Sequence, residues 1–337
     1  MKTFYAPDQA LHAPEKELFN GAFHPAAETP ARLEAMLGVV GETFEPEPIP
    51  RAILERVHTP DYLDFIEQAH ALWVKEGRMG EAFPYVFPVV GRRAVNLKRI
   101  DALMGRYSMD CGTPIGAHTL QAALGGASSA YSGAKSVLGG DQLVFALCRP
   151  PGHHAGADYF GGYSYLNNAA LAAETALVGG AKRVAILDVD YHHGNGTQDI
   201  FYGREDVFFA SLHADPVMDY PFYWGHSDER GEGAGAGFKL NLPLPRGTGW
   251  PDYQGALSKA CEAIGAYRPD ILIVSYGADT FDGDPISYFT IKTDEYEAMG
   301  RVISETRLPT LVCMEGGYAV DHLGANLAAF LRGLEGV

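Results

Sequence analysis

The 337-residue chain has room for one large α/β domain or two smaller ones, and 47% hydrophobic with 20% charged residues is a globular composition with material for a sizeable core. A net charge of −16, from 42 acidic and 26 basic residues, lacks the basic footprint of a nucleic-acid binder; it suits plain solubility or attraction of a cationic small molecule. No stretch approaches the ~20 apolar residues of a membrane helix, the opening Met1-Lys2-Thr3-Phe4-Tyr5-Ala6-Pro7 has no apolar leader-like core, and Cys111, Cys148, Cys261 and Cys313 form no Cys-x-x-Cys pair, so a cytoplasmic protein without a disulfide framework is expected.

In chain order, apolar periodicity predicts helices over residues 30–40 and 60–75. Residues 77–119 follow, with Pro84, Pro88, five basic residues from Arg92 to Arg106 and little periodicity; they are expected to form a long functional or interface loop. Next come a helix over 119–138, a strand over 143–147, a helix over 168–179, and strands over 183–187, 207–212 and 239–242. The remainder reads as helix 253–266, strand 271–274, helix 293–305, strand 310–313 and helix 323–334. This alternation predicts a single α/β domain, with a mostly parallel, multi-stranded sheet and helices on both faces.

Four of these strands run directly into polar motifs. They lead to Arg149-Pro150-Pro151-Gly152-His153-His154, to Asp188-Val189-Asp190-Tyr191-His192-His193, to Tyr276-Gly277-Ala278-Asp279, and to Glu315-Gly316-Gly317-Tyr318. Ligands bind outside the carboxyl ends of parallel strands, so these groups are expected at one rim. Side chains alternate along an extended segment, which points Asp188, Asp190 and His192 the same way. Carboxylate and imidazole are zinc ligands, Asp279 is the best candidate for a third, and three protein ligands leave a position for water. His153 and His154 suit acid–base chemistry near neutrality, and Tyr318, after two glycines, suits stabilisation of an oxyanion. The glycine-rich run 231–237 precedes a strand rather than a helix, which is the wrong context for a dinucleotide loop. Ser164 and Ser211 lack a nucleophile elbow.

Taken together, the 149–154 motif, Phe160-Gly161-Gly162-Tyr163, residues 188–198, Gly277-Ala278-Asp279 with Asp284-Pro285, and Glu315-Gly316-Gly317-Tyr318 resemble the arginase–deacetylase superfamily. Within it the chain is similar to the zinc-dependent histone-deacetylase-like amidohydrolases, and among those to the bacterial acetylpolyamine amidohydrolases. The resemblance spans almost the whole chain. It implies the arginase–deacetylase fold, with the active site at the C-terminal strand ends, and one zinc ion on Asp190, His192 and Asp279. It implies that His154 is the main general base and acid, with His153 as its electrostatic neighbour and Tyr318 on the substrate carbonyl. Asp188 would orient His153. Asn195 would support His154, stabilising its protonated ring less than the Asp that some relatives carry. A structural potassium ion would sit on Asp188, Ser211 and the main-chain carbonyls of Asp190, His192 and Leu212.

The reaction so implied is hydrolysis of an acetamide to acetate and amine, on a small cationic acetylated amine. Tyr163, with Gly162 before it, and Tyr220 would flank a narrow tunnel for an aliphatic chain. Glu17, Asp101 and Asp110 would supply acidic groups near its mouth. The 77–119 segment would build a homodimer that narrows the entrance and favours a small substrate over a protein. Ser164 stands where relatives commonly carry Cys. Two other readings keep the same family: a deacetylase of protein acetyl-lysine, and a catalytically inactive zinc-binding protein, which the retained His153, His154 and Tyr318 oppose. A binuclear manganese enzyme would want a further carboxylate where His193 and Gly194 stand.

Overall fold

The computed structural model describes residues 1–89 and 95–336, so Arg92 and Arg93 of the basic run lie outside the described residues. The strands are β1 (Lys2–Phe4), β2 (Lys16–Phe19), β3 (Ala22–Pro25), β4 (Thr43–Phe44), β5 (Leu143–Ala146), β6 (Val184–Asp188), β7 (Val207–Ala214), β8 (Lys239–Leu244), β9 (Ile271–Tyr276) and β10 (Thr310–Met314). The helices are α1 (Pro30–Leu37), α2 (Arg51–Val57), α3 (Pro60–Lys75), α4 (Ile100–Tyr107), α5 (Thr119–Leu138), α6 (Asn168–Val178), α7 (Asn195–Phe201), α8 (Trp250–Tyr267), α9 (Thr293–Ser304) and α10 (Val320–Glu335).

Runs such as Val184–Asp188 and Ile271–Tyr276 are buried at every position, the pattern of strands covered on both faces. Eight strands form one parallel sheet in the order β4-β1-β5-β10-β9-β6-β7-β8. Alternate side chains enter opposite cores. Val184, Ile186, Ile271 and Ile273 pack with Ala123, Ala127 and Ala130 of α5 and with the alanines of α6. Ala185, Leu187, Leu272 and Val274 pack with Leu257 of α8, Met299 of α9 and Phe330 of α10. The sheet order brings β5, β10, β9 and β6 side by side, although they are far apart in the chain. Those are the four strands whose ends carry the polar motifs.

Helices α3 and α5 have the bounds that periodicity gives, and the other predicted elements differ by a few residues at their ends. The short pieces β1, β4, α2 and α7 and the antiparallel hairpin β2–β3 were not legible. The 77–119 segment is not all loop. It contains α4, whose Ile100, Met104 and Tyr107 are buried at helical spacing but span too few turns for the pattern to stand out. Ala82 and Ile115 exchange main-chain hydrogen bonds of 2.9 and 3.0 Å, which tie the base of the segment together. Among the described residues, no helix is long and apolar enough to cross a membrane.

Candidate active site

Just beyond the ends of β6 and β9, Asp190, His192 and Asp279 each offer a ligand atom, and these atoms lie within 4.8 Å of one another. Main-chain donors fix the two carboxylates. Asp190 accepts from the N–H of Gly316 (2.8 Å) and His192 (2.9 Å), and Asp279 from that of Tyr191 (2.9 Å). A Cβ on Gly277 would fall 2.0 Å from Asp190 Oδ2, and one on Gly316 would fall 2.6 Å from both carboxylates, so glycine is required at each close approach. Burial pushes the Asp279 carboxyl up to about 7, reinforced by the neighbouring Asp190 charge. Burial opposes a charge on His192, but its bonds to Asp190 and Asp279 prevail and push it up to about 10. Two buried carboxylates and an imidazole converging in this way form a donor set that fits a zinc ion.

The turn after β5 places two histidines against this triad, with ring centroids 4.0 Å apart. His153 Nδ1 lies 3.0 Å from Asp188 Oδ2, and His154 Nδ1 lies 2.7 Å from Asn195 Oδ1. These different partners separate the two rings. Burial lowers His153, yet Asp188 and Asp190 overcome it and hold its pKa well above the ordinary value. For His154, burial and the neighbouring His153 and His192 act together and hold it well below. The two neighbouring rings therefore have opposite charge preferences, His153 toward the protonated form and His154 toward the neutral one.

Tyr318 comes from the glycine turn after β10 and is nearly buried. Burial raises its hydroxyl well above the usual range, so it stays a donor. Its ring lies 5.5 Å from that of Tyr163, and the Tyr220 ring lies 5.2 Å from that of His154. Gly162, at φ +53°, lies so close to the His154 ring that a Cβ would meet it at 2.2 Å. Asp110 joins these walls, accepting from Gly162 N (2.6 Å), Gly112 N (3.0 Å) and Tyr220 Oη (2.9 Å). Glu17, on β2, bonds the Tyr163 hydroxyl and accepts from Ala27 N at 3.3 Å. Ser164 Oγ lies between His154 N (3.4 Å) and the Gly162 carbonyl (3.3 Å).

Asp101 is not brought to this group. Its carboxylate, on α4, pairs with Arg78 and Arg99 instead, a partnership of residues too variably spaced to be read from sequence. Asp188 and Ser211 are register neighbours on β6 and β7, with Leu212 next along β7. The Ser211 hydroxyl also contacts His193 Nδ1 (3.1 Å) and His213 Nδ1 (2.8 Å).

Against known proteins, the model of the histone deacetylase domain matches residues 26–334. The chain belongs to the histone deacetylase family. Its relatives in that family include acetylpolyamine amidohydrolase 1 of Pseudomonas aeruginosa, 48% identical over all of this chain and 99% of the relative. The acetylpolyamine amidohydrolase of Mycoplana ramosa is 44% identical over the whole of both chains. The crystal structure of acetylpolyamine aminohydrolase from Burkholderia pseudomallei superposes with a TM-score of 0.94 at 38% identity, covering 99% of this chain and 98% of that one.

This deacetylase domain also holds its site with residues to which sequence assigned no role. Glu315, pushed up to about 7 by burial, accepts from Gly152 N (2.6 Å) and His153 N (3.0 Å) and so ties the histidine turn to β10. Asp284 accepts from Tyr318 N (2.7 Å) and Ala319 N (3.1 Å). Arg32, on α1, stacks on the Tyr318 ring at 4.8 Å and donates to the carbonyls of Gly317 (2.7 Å) and Glu315 (2.6 Å). Glu315 and Asp284 stood inside recognisable motifs, whereas nothing local marked Arg32.

Proposed function

We propose that this chain hydrolyses N-acetylated diamines and polyamines to acetate and the free amine. The observation that carries this is the Asp190–His192–Asp279 donor set, with both carboxylates buried, facing a histidine pair of opposite charge preference. Asp190, His192 and Asp279 would hold a zinc ion, which would supply Lewis acidity toward a carbonyl and acidify a water. His154, neutral with Nδ1 bonded to Asn195, accepts the proton of the attacking water at Nε2. Tyr318 donates its hydroxyl hydrogen to the carbonyl oxygen as negative charge develops there. His153, kept protonated by Asp188, stands beside the reacting atoms as a fixed positive charge. His154 then delivers its proton to the leaving nitrogen.

The substrate class rests on the whole-length relatives named for acetylpolyamines and on the acidic Glu17 and Asp110 beside Tyr163 and Tyr220. A protonated amine further along the substrate would meet those carboxylates favourably. A structural potassium ion would be held by Asp188, Ser211 and the carbonyls of Asp190, His192 and Leu212. The 77–119 segment, with exposed Met79, Tyr85 and Val89, would pack against a second copy and narrow the entrance.

The test is acetate release by zinc-loaded protein from acetylputrescine, acetylcadaverine and acetylspermidine, compared with an acetyl-lysine peptide. Higher kcat/KM on the free amines is expected. Preference for the peptide would move the chain to protein deacetylation, and no release from any substrate would end the catalytic reading.

A further inference from the structure

A directed hydrogen-bond chain leaves the inner side of His154 and ends at the protein surface. Its first link is His154 Nδ1 to Asn195 Oδ1 at 2.7 Å. A side-chain amide has two faces: its oxygen accepts and its nitrogen donates. Turned over, Asn195 would present its nitrogen to Nδ1 and force the imidazole hydrogen onto Nε2. That tautomer has no lone pair at Nε2 with which to accept a proton from water. Something must therefore fix the amide.

The rest of the chain does so. Asn195 Nδ2 donates to Tyr159 Oη at 3.1 Å, and Tyr159 Oη donates to Asp199 Oδ2 at 2.7 Å. Trp224 Nε1 donates to that same oxygen at 3.2 Å, which marks it as an acceptor. Tyr159 has one hydrogen, and it goes to Asp199. Its oxygen can then only accept from Asn195, so Nδ2 faces Tyr159 and Oδ1 faces His154. Met109 Sδ (3.3 Å) and the His154 carbonyl (3.5 Å) accept from Nδ2 in the same sense. The other groups around His154 are His153, Tyr220 and His192, with ring centroids at 4.0, 5.2 and 6.0 Å, and the Asp190 charge; the Nδ1 bond is made by Asn195.

We propose that Tyr159 and Asp199 are positioning residues for the base: they orient the Asn195 amide and thereby hold His154 as its Nδ1–H tautomer. This rests on the reading of His154 as the base. Asp199 lies on α7 and accepts from both Tyr159 and Trp224, so its contribution is the direction of those bonds.

The test is a double-mutant cycle of Tyr159→Phe with Asn195→Asp, read at a pH above the acid limb of each variant. Alone, Tyr159→Phe is expected to lower kcat by about tenfold or more with KM little changed, as outer-shell partners do. An aspartate at 195 offers an acceptor oxygen in either orientation, so in that background Tyr159→Phe should cost less than about twofold. Asp199→Ala should resemble Tyr159→Phe, and Asp199→Asn, which keeps an acceptor oxygen, should retain most turnover. Nitrogen-15 imidazole spectra, with the His154 signal identified by its loss in His154→Ala, should show Nδ1–H in the parent and a mixture in Tyr159→Phe. Equal losses in the parent and Asn195→Asp backgrounds, or an unchanged tautomer in Tyr159→Phe, would overturn the inference and leave Tyr159 a packing residue. A tautomer that responds as expected in a protein inactive on every acetylated amine would support the positioning role and sink the proposed function instead.

Discussion

At the rim of β5, β10, β9 and β6, Asp188, Asp190, Asp279 and Glu315 are buried, and each is held by main-chain N–H groups or a histidine. In the 77–119 segment, Met79 is 92% and Tyr85 75% exposed, and Asp101 pairs with two arginines near the surface. The rim is over-determined from within: each carboxylate is positioned by backbone that the sheet itself fixes. The segment leaves apolar surface that only another surface would cover. Under the proposed function, chemistry would belong to the rim and substrate selection to the segment and its neighbours.

Breaking the rim should give the largest effects. Asp279→Ala removes a proposed ligand, so metal content by elemental analysis should fall, and turnover should drop by about a thousandfold or more. Tyr318→Phe should keep the metal and the circular-dichroism spectrum but lose about 100- to 1,000-fold in kcat. Retained full activity on an unactivated acetamide would remove Tyr318 from the oxyanion role. The segment should respond differently. A Cβ at Gly105 would fall 1.6 Å from the Val86 carbonyl, so Gly105→Ala should push the Val86 stretch off α4 and cost about 1–3 kcal/mol in denaturant unfolding, with metal content unchanged.

Smaller effects sharpen the comparison. With His154 as the proposed base, its neutral form would be the active one; its pKa is lowered, so activity should persist as pH falls past 6.5 and be lost only further down. A carboxylate at 195 favours the protonated ring and raises that pKa. The acid limb of kcat/KM in Asn195→Asp should therefore move to higher pH, as measured on one acetylated diamine. The smallest change is expected for Asp101→Asn, which breaks ion pairs of α4 with Arg78 and Arg99 rather than contacts at the rim: turnover of acetylputrescine should alter by less than about twofold. A large loss there would mean that the segment reaches the chemistry after all.

Legibility followed chain distance. Each site strand is an apolar run continuous with its polar motif, so one glance along the sequence pairs β6 with Asp190 and His192, and β10 with Tyr318. Arg32 lies 285 residues from the Gly317 carbonyl it holds, and Tyr159 lies 40 residues from Asp199, with no periodicity linking either pair. Helix α4 was missed because eight residues give little more than two turns of pattern. From the sequence, Asp101 is expected near the tunnel mouth because the two arginines that pair with it are named only by the fold.

By itself the sequence determined which atoms were available: three candidate ligands of two types, two further imidazoles and a tyrosine, each at the end of a strand, because side-chain chemistry and strand periodicity are local properties. The tertiary structure alone decided which of those atoms meet. The crossovers that place β5, β10, β9 and β6 side by side reorder the chain in space. A hydrogen bond requires its donor and acceptor within about 3 Å and in line. Only the packed sheet and helices, acting together, set distances that fine, and they give His153 a carboxylate, His154 an amide, and that amide one direction.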